Sequence, residues 1–457
     1  MAQFPGLSPR CISLVLRIAV AFGCGAGLLV GGAPSASTAV PPDLFTGTVD
    51  EFYVVPDPLP AGAPGELIRI QLVSEDSSST TLRIMYHSRD AGDRDRAVTG
   101  KVTYPNSSPP AGGWPVVSHA NGTVGLASVC ALSRNDGAVS AVGLAGIGVA
   151  TDYVGLGPVG ETHPYLSRPS EGLPVIDAVR AVRNIAEAGA GSRWLAIGGS
   201  QGGHGAIAAN ELADTYAPEL DLVGAVSLAP GAMFDRSYGG IDDIVGRIVG
   251  VMMLYGAAAE HPEIDPNDYV GLQTAAAAAE VLPDQCIGDI INAFVVIPPE
   301  DFWTNEPRST EPARSILLAN DVGHVAADSP LLLVSGTADT TVVIERVRDL
   351  FDRLCDTGQV TEYTEYEGAT HNDIGAHAAT QVVPWVAARF AGGAPMSSCP
   401  EPPPPPPPPP DDSTGTTSTA APPLDVLAST GSPADGVVAV AAAGADQAAG
   451  VTPRFTG

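Results

Sequence analysis

A serine between glycines has the residue types and spacing of a reactive nucleophile. Ser200 lies in GGSQG, residues 198–202, which fits the pattern G-x-S-x-G. Glycines are needed there because a strand that turns sharply into a helix leaves no room for side chains beside the serine. In a chain with 52 glycines, chance alone produces the pattern roughly 0.4 times. The motif is therefore informative only if a strand precedes it and a helix follows it.

A serine hydroxyl is a weak nucleophile and requires a histidine base that is oriented by a carboxylate. His371 is the preferred base because it lies in EGATHND, the loop after the last predicted strand. His377 is the next candidate, but it falls inside the predicted closing helix. Asp339, in SGTADTTVV, directly follows a predicted strand, whereas Asp328 precedes that strand. Asp373 is too near His371 in sequence to face it easily. The chain order Ser200, Asp339, His371 is the one expected when the nucleophile occupies a strand-to-helix turn.

Two backbone N–H groups are expected to stabilise the oxyanion of the tetrahedral intermediate, each worth about 10²–10³ in rate. One is the N–H of Gln201, immediately after the nucleophile. The other is expected from the loop HANGTVG, residues 119–125, with Thr123 the preferred residue. A glycine-rich turn without this role is the alternative for the loop. Helix capping is likewise the alternative role for Asp339.

Strands and helices alternate along the chain in the order that such a site needs. Apolar and β-branched runs bounded by turn residues predict strands, and apolar residues at helical spacing predict the helices between them. This alternation predicts a doubly wound α/β sheet, with parallel strands joined by right-handed crossovers. The predicted strands are residues 67–73, 82–87, 98–104, 115–118, 147–151, 194–197, 222–228, 331–335 and 361–366, and the predicted helices are 175–185, 205–216, 341–354 and 374–390.

The alternation breaks between about residues 233 and 326. Apolar residues keep helical spacing over 241–252, and the alanine-rich run 274–280 is also predicted to be helical. A helical insertion after the strand that follows the nucleophile would lie over the strand ends as a cap. The alternative is a structural subdomain without a role in substrate choice.

The first 39 residues have the features of a secretory signal peptide. Arg10 and Arg17 precede an apolar run over residues 18–30, and small residues continue to Ala39, after which cleavage is expected. The apolar run is too short and too glycine-rich to span a bilayer. We therefore expect a secreted, extracellular protein with no transmembrane segment in the mature chain.

The mature chain is expected to contain one catalytic domain, residues 40–399, in which residues 40–66 form an extended arm. A proline-rich linker follows over 400–423 and includes nine successive prolines. The last segment, 424–457, contains LASTG at 427–431 and resembles the C-terminal sorting signal of cell-wall-anchored proteins. Wall anchoring is one hypothesis for this segment, and a disordered tail is the alternative.

Charge and cysteine content restrict the function further. Acidic residues outnumber basic ones 51 to 22, which gives a net charge of −29 and disfavours nucleic acid and anionic membranes as partners. Removal of the signal peptide would leave an even number of cysteines, which in an exported chain predicts two disulfides. Four cysteines permit three pairings, and the residues alone do not choose among them. They are Cys130, Cys286, Cys355 and Cys399.

Several stretches in this order resemble the secretory lipase family of α/β-hydrolases. They are LPAGAPGELIR, TDYVGLG with THPYL, GGSQGGH, GTADTTV and EGATHND, and they span most of residues 50–390. The loop NGTVG departs from the family's common HGTTG at Asn121 and Val124. The resemblance implies an α/β-hydrolase fold, with helices on both faces of a mostly parallel sheet and a helical cap over an acyl tunnel. It also implies hydrolysis of acyl glycerols or similar apolar esters, without a metal or an organic cofactor.

The same resemblance implies the disulfide pairs Cys130–Cys286 and Cys355–Cys399. Together, the residues and the resemblance predict a monomeric serine esterase or lipase that acts on apolar esters, including esters at a lipid–water interface. Two alternatives stay open. A related serine hydrolase acting on peptides or polyesters would share the catalytic residues, and a non-catalytic cell-surface protein would share only the fold.

Overall fold

A large sheet runs through the part of the chain that the computed structural model describes, residues 43–236 and 244–401. The strands are β1 (Asp43–Leu44), β2 (Leu67–Glu75), β3 (Ser79–Arg89), β4 (Asp95–Pro105), β5 (Trp114–Ala120), β6 (Ile147–Thr151), β7 (Ala190–Gly199), β8 (Asp221–Leu228), β9 (Leu331–Gly336) and β10 (Thr361–Tyr366). Their order across the sheet is β1-β2-β3-β4-β6-β5-β7-β8-β9-β10. This order places β7, the strand before Ser200, between β5 and β8.

The six strands from β6 to β10 in the sheet order pair in parallel, as do β1 and β2, whereas the pairs β2–β3, β3–β4 and β4–β6 are antiparallel. Only short turns join β2 to β3 and β3 to β4, and such turns permit antiparallel pairing only. The later strands are separated by helices, which allows parallel crossovers. The prediction of a mostly parallel α/β sheet is confirmed, with an antiparallel N-terminal side.

Helices cover both faces of the sheet. Along β7, Trp194 and Ala196 pack into one apolar cluster, with residues of the helices that precede and follow β7. Leu195 and Ile197 face the other way and pack with residues of the C-terminal helix, as expected because successive side chains of a strand alternate between faces. The helices are α1 (Val49–Phe52), α2 (Arg168–Arg183), α3 (Gln201–Tyr216), α4 (Ile244–Glu260), α5 (Leu272–Val281), α6 (Ile287–Phe294), α7 (Ala313–Ala319), α8 (Ile344–Thr357) and α9 (Ile374–Phe390).

The segment before β2 is not the extended arm predicted from its proline and glycine content. Thr48 and Glu51 form a capping box that starts the short helix α1, a pattern in which each residue bonds the other's backbone N–H. Phe52 and Tyr53 are fully buried in a small apolar cluster of their own. The prediction failed because the two aromatic anchors outweigh the loop-like composition around them.

The described part of the segment between β8 and β9 contains the helices α4 to α7. Their apolar side chains form a separate core that includes Ile248, Met252, Phe294 and Phe302. In this segment the described residues, which omit 237–243, contribute no strand to the main sheet. Helices were predicted at the positions of α4 and α5, whereas α6 and α7 were not predicted.

Two disulfides join Cys130 to Cys286 and Cys355 to Cys399, the pairing that the family resemblance implies. Within the described ranges no helix is long and apolar enough to cross a membrane. The predicted signal peptide, the proline-rich linker after residue 401 and the LASTG tail lie outside the described residues.

Candidate active site

Ser200 occupies a strained turn between β7 and α3. Its backbone has φ 57° and ψ −122°, a conformation that costs a non-glycine residue on the order of 1–3 kcal/mol. Main-chain hydrogen bonds hold it in place: the Ser200 N–H donates to the Leu228 carbonyl at 2.9 Å, and the Ser200 carbonyl accepts from the N–H groups of His204 and Gly231, each at 3.1 Å. The tertiary structure thus imposes the conformation that exposes a serine side chain beyond the end of the strand.

The glycines at both ends of the motif are required by close packing. A Cβ atom on Gly198 would lie 2.2 Å from the carbonyl oxygen of Gly202, and one on Gly202 would lie 2.1 Å from that of Ala120. At the intervening Gly199 the nearest atom would be 3.6 Å away, which is an ordinary contact. The pattern G-x-S-x-G therefore follows from where backbones touch at this turn.

The structure brings Asp339 and His371 together. Asp339 follows β9 and His371 follows β10, and their parallel pairing places the two loops at the same edge of the sheet. His371 Nδ1 donates to Asp339 Oδ2 at 2.8 Å, and the Asp339 side chain is fully buried whereas the His371 ring remains 18% exposed. This geometry leaves Nε2 of His371 as the nitrogen that can act as a base.

Asp339 is not the N-cap of α8, because that position is held by Val343 without a side-chain cap bond, but its other carboxylate oxygen orders the turn before the helix. Oδ1 accepts the backbone N–H groups of Thr341 and Val342, each at 2.8 Å. Those bonds hold the turn before α8, which is why α8 begins at Ile344 rather than at residue 341. One carboxylate thus orders its own loop and orients His371.

The competing candidates lie elsewhere. Asp373 accepts the backbone N–H of Thr370, and His377 lies on α9, 4.0 Å from Asp373 with its side chain about half exposed. Asp328 lies before β9 and accepts no ring nitrogen; its N–H donates to Asp214. None of these three residues lines the cavity at Ser200.

A cavity of about 760 Å³ contains Ser200 and His371 in its wall. No hydrogen bond between the Ser200 hydroxyl and the His371 ring occurs among the described residues, and such bonds are often long until a substrate is bound. Apolar side chains from β8, α4, α6, α7 and the connecting loops supply most of the remaining wall. They include Leu166, Leu228, Phe234, Val245, Ile248, Val249, Met253, Ile287, Ile291, Trp303, Leu317 and Val342.

The loop predicted to supply the second oxyanion donor also lines this cavity, through Gly122, Thr123 and Val124. Tyr165 and Thr123 share a hydroxyl hydrogen bond of 2.7 Å, and the Val124 carbonyl accepts from the N–H of Ile287 at 2.8 Å. On the other side of Ser200, Gln201 is the first residue of α3, so its N–H has no acceptor within the helix. Both predicted donor positions therefore border the same cavity as the serine.

A buried polar cluster beneath the serine was not predicted. Its members are Glu171 on α2, His204 and Gln201 on α3, and His163 in the preceding loop, and each is at most 1% exposed. Glu171 Oε2 accepts from His204 Nδ1 at 2.7 Å, while His204 Nε2 donates to the carbonyl of Asn320 at 2.8 Å. Because both ring nitrogens face acceptors, His204 carries both protons and forms an ion pair with Glu171.

The pKa values agree with that ion pair. Burial alone would raise the pKa of Glu171, but the charge and the hydrogen bond of His204 reverse the effect and lower it to about 2. Burial would lower the pKa of His204, but the carboxylate of Glu171 raises it instead.

The only signal of this buried cluster in the sequence was the spacing of His204, one helical turn after Ser200. Within the described residues no group of His, Cys, Asp or Glu could hold a metal ion.

Comparison with known proteins places this site in a family. The family model described as Secretory lipase matches residues 137–398, more than half of the chain, including Ser200, Asp339 and His371. The chain belongs to the secretory lipase family. A curated relative, Lipase A of Moesziomyces aphidis, is 38% identical over 61 residues, a match that spans 13% of this chain and 13% of that protein.

Solved structures of a lipase and of an esterase share the fold. Candida antarctica lipase A in its closed state has a TM-score of 0.64 at 16% identity, over 76% of this chain and 87% of that one. LipA of Xanthomonas oryzae, described as a rice cell wall degrading esterase, has a TM-score of 0.60 at 18% identity, over 72% of this chain and 98% of that one. At these identities the likeness shows the α/β-hydrolase fold predicted from the resemblance.

Proposed function

We propose that the protein is an exported lipase or carboxylesterase that hydrolyses apolar esters through an acyl-enzyme on Ser200. The observation that carries this proposal is the 2.8 Å hydrogen bond between His371 and the buried Asp339, at the wall of the cavity that also contains the strained Ser200. Nucleophile, base and orienting acid recur in this arrangement on several unrelated folds. Family membership supports the same activity.

The hydrogen bonds already formed at the site determine which atoms can take part in the reaction. Asp339 occupies Nδ1 of His371, so Nε2 takes the proton as Ser200 Oγ bonds to the ester carbonyl carbon. The carbonyl oxygen becomes an oxyanion, stabilised by the N–H of Gln201 and by an N–H of the loop at Thr123. His371 then passes its proton to the departing alcohol, which leaves the acyl group on Ser200. A water molecule activated by the same nitrogen releases the acid and restores the serine.

The apolar lining of the cavity favours an apolar acyl group as the part of the substrate that binds inside the protein. Its wall includes Ile248, Met253 and Trp303 from the segment between β8 and β9. We propose that this segment is a cap that sets acyl-chain preference. An apolar wall of this kind stabilises a buried chain by about 0.8 kcal/mol per methylene group, so longer acyl chains should be preferred up to the length of the cavity.

The test is hydrolysis of p-nitrophenyl esters of increasing acyl length. Ser200→Ala and His371→Ala should each lower kcat by about 10⁴-fold or more, whereas His377→Ala should leave it unchanged because that ring lies on α9 outside the cavity. A fluorophosphonate should label the parent protein on Ser200 and should not label Ser200→Ala. Ester hydrolysis that survives Ser200→Ala would refute the assignment.

We also propose export through the signal peptide predicted at residues 1–39, a location that the two disulfides favour. Wall attachment through LASTG remains a hypothesis for the C-terminal segment. Mass spectrometry of the mature protein tests both expectations. Export predicts an N-terminus after Ala39, and recovery from the culture medium of protein that is intact through Gly457 would contradict anchoring.

A further inference from the structure

The side-chain amide of Gln201 is held in a single orientation by two buried acceptors. Its Nε2 donates to Glu171 Oε1 and to His163 Nε2, each at 2.7 Å. His163 can accept there because its Nδ1 donates to the carbonyl of Val154 at 2.8 Å. The opposite amide orientation would face Oε1 toward the carboxylate of Glu171, which is unfavourable. The residue whose backbone N–H borders Ser200 is therefore fixed through its own side chain.

Glu171 bonds two points on the first turn of α3. One carboxylate oxygen binds the Gln201 amide, and the other binds Nδ1 of His204. The oxygen that binds Gln201 also accepts the backbone N–H of Leu166 at 2.8 Å. The carboxylate thus connects the turn that carries the nucleophile to the loop that precedes α2.

The loop that precedes α2 also contacts the segment expected to supply the second oxyanion donor. Tyr153 Oη donates to the carbonyl of Asn121 at 2.8 Å, and Tyr165 bonds the hydroxyl of Thr123. His163 lies between these two tyrosines, stacked on Tyr153 with ring centroids 5.5 Å apart. Both expected donor positions are therefore tied to one buried cluster.

We propose that Glu171 and the side chain of Gln201 are positioning residues for the oxyanion hole, which direct the Gln201 N–H toward the same point as the donor of the Thr123 loop. This inference rests on the proposed function, because it concerns an oxyanion formed at Ser200. A purely structural role is the competing explanation. Well-packed apolar residues often replace a buried ion pair without loss of stability, whereas a displacement of about 1 Å at a reacting centre costs up to about 10²-fold in rate.

Two variants separate these explanations. Gln201→Met keeps the length of the side chain and the backbone N–H but removes both amide bonds, and it leaves the Glu171–His204 pair intact. Glu171→Gln removes the charge that orients the amide. The matched control is Asp177→Asn, because Asp177 is also fully buried on α2 but bonds Ser88, Arg180 and Tyr216 instead. Active sites are counted by fluorophosphonate titration run to completion, so that kcat refers to competent sites only.

Gln201→Met and Glu171→Gln should each lower kcat on a p-nitrophenyl ester by about 10- to 100-fold, with KM changed by less than about twofold. Affinity for a trifluoromethyl ketone, which forms a tetrahedral oxyanion on the serine, should fall by the same factor as kcat/KM. The double variant should lose little more than either single variant, because the two side chains act as one unit. Asp177→Asn should retain the parent kcat and ketone affinity.

Unchanged kcat in Gln201→Met would overturn the proposal, whether or not Glu171→Gln folds. A change confined to KM, or an equal fall in kcat in Asp177→Asn, would also overturn it. The proposed function is judged separately, on the parent protein and Ser200→Ala. If the parent does not hydrolyse esters through Ser200, the proposed function fails before the positioning variants are compared.

Discussion

The hydroxyl oxygens of Tyr165 and Thr123 lie 2.7 Å apart, and both residues line the cavity that contains Ser200. Tyr165 is 5% exposed, so water has little access to replace this hydrogen bond if it is lost. Thr123 belongs to a loop with two glycines, which has little intrinsic rigidity. The tyrosine hydroxyl is therefore one of the contacts that position this loop, beside the hydrogen bonds of Tyr153 to the carbonyl of Asn121 and of Ile287 to the carbonyl of Val124.

We expect Tyr165→Phe to lower kcat/KM on a p-nitrophenyl ester by about three- to tenfold, since a hydrogen bond of this kind contributes about 0.5–1.5 kcal/mol. The change should lie mainly in kcat. Tyr363→Phe is the matched control, because its hydroxyl bonds Ser335 at 2.8 Å and does not line the cavity. Equal losses in the two variants would show that the Thr123 contact has no specific role.

Asp339→Asn should lower kcat by about 10³–10⁴-fold while the protein remains folded, because an amide at this position favours the wrong tautomer of His371. Steady-state kinetics together with circular dichroism would measure both properties. Asp373→Asn tests the carboxylate that is nearer to His371 in sequence. It should retain activity within about twofold, since Asp373 contacts the backbone of Thr370 and the ring of His377 rather than His371. A larger loss in Asp373→Asn than in Asp339→Asn would reverse the assignment of the acid.

Gly202→Ala should destabilise the protein by about 2–4 kcal/mol in urea unfolding, because the added Cβ would lie 2.1 Å from a backbone oxygen that cannot move aside freely. Gly288→Ala provides the opposite case. Gly288 lies within α6 and a Cβ there meets nothing within 4 Å, so the substitution should stabilise the helix by about 0.5–1 kcal/mol. If the two substitutions have the same sign, the packing argument at the serine turn is wrong.

The stability of the protein should fall between about pH 4 and pH 7 because of Asp177. Burial raises the pKa of Asp177 to about 6, against the opposing hydrogen bond from Ser88 and the charge of Arg180. At pH values between the ordinary pKa of an aspartate and about 6, Asp177 is protonated in the folded chain and ionised in the unfolded chain. The stabilisation of the folded state by protonated Asp177 is therefore fully present below about pH 4 and is lost as the pH rises through about 6.

Urea unfolding over this pH range measures the contribution. The parent should lose about 2 kcal/mol more than Asp177→Asn between the two ends of the range, because the amide does not titrate. Parallel curves for the two proteins would show that Asp177 does not retain its proton in the folded state.

Much of the fold could be predicted because its parallel strands are short, buried and separated by amphipathic helices. The segment at α1 was mispredicted since its composition is typical of a loop, although the capping box of Thr48 and Glu51 is visible in the sequence as a threonine followed three residues later by a glutamate. Helix α6 has only 8 residues and α7 only 7. Such short helices give too few turns for their apolar spacing to be recognised.

Some residues of the candidate site could be predicted from the sequence, and others could not. Ser200, Asp339 and His371 could be proposed because each lies directly after a predicted strand, where local pattern and topology coincide. The Glu171–His204 pair could not be predicted, because its members lie on different helices that meet only after the sheet has formed. His204 lies only four residues after Ser200 in the sequence, and that spacing does not indicate a partner on another helix.

The strained backbone of Ser200 also has a consequence for when the protein becomes reactive. Two of the hydrogen bonds that hold this conformation involve the carbonyl of Leu228 and the N–H of Gly231. These residues follow the serine in the chain by a complete helix and strand. Before β8 docks beside β7, these hydrogen bonds cannot form, so they do not hold Ser200 at a positive φ. Its hydroxyl then has the reactivity of an ordinary alcohol. Under the proposed function, ester hydrolysis therefore requires that β8 has docked, and we expect a chain that is still being synthesised or exported to be inactive toward esters.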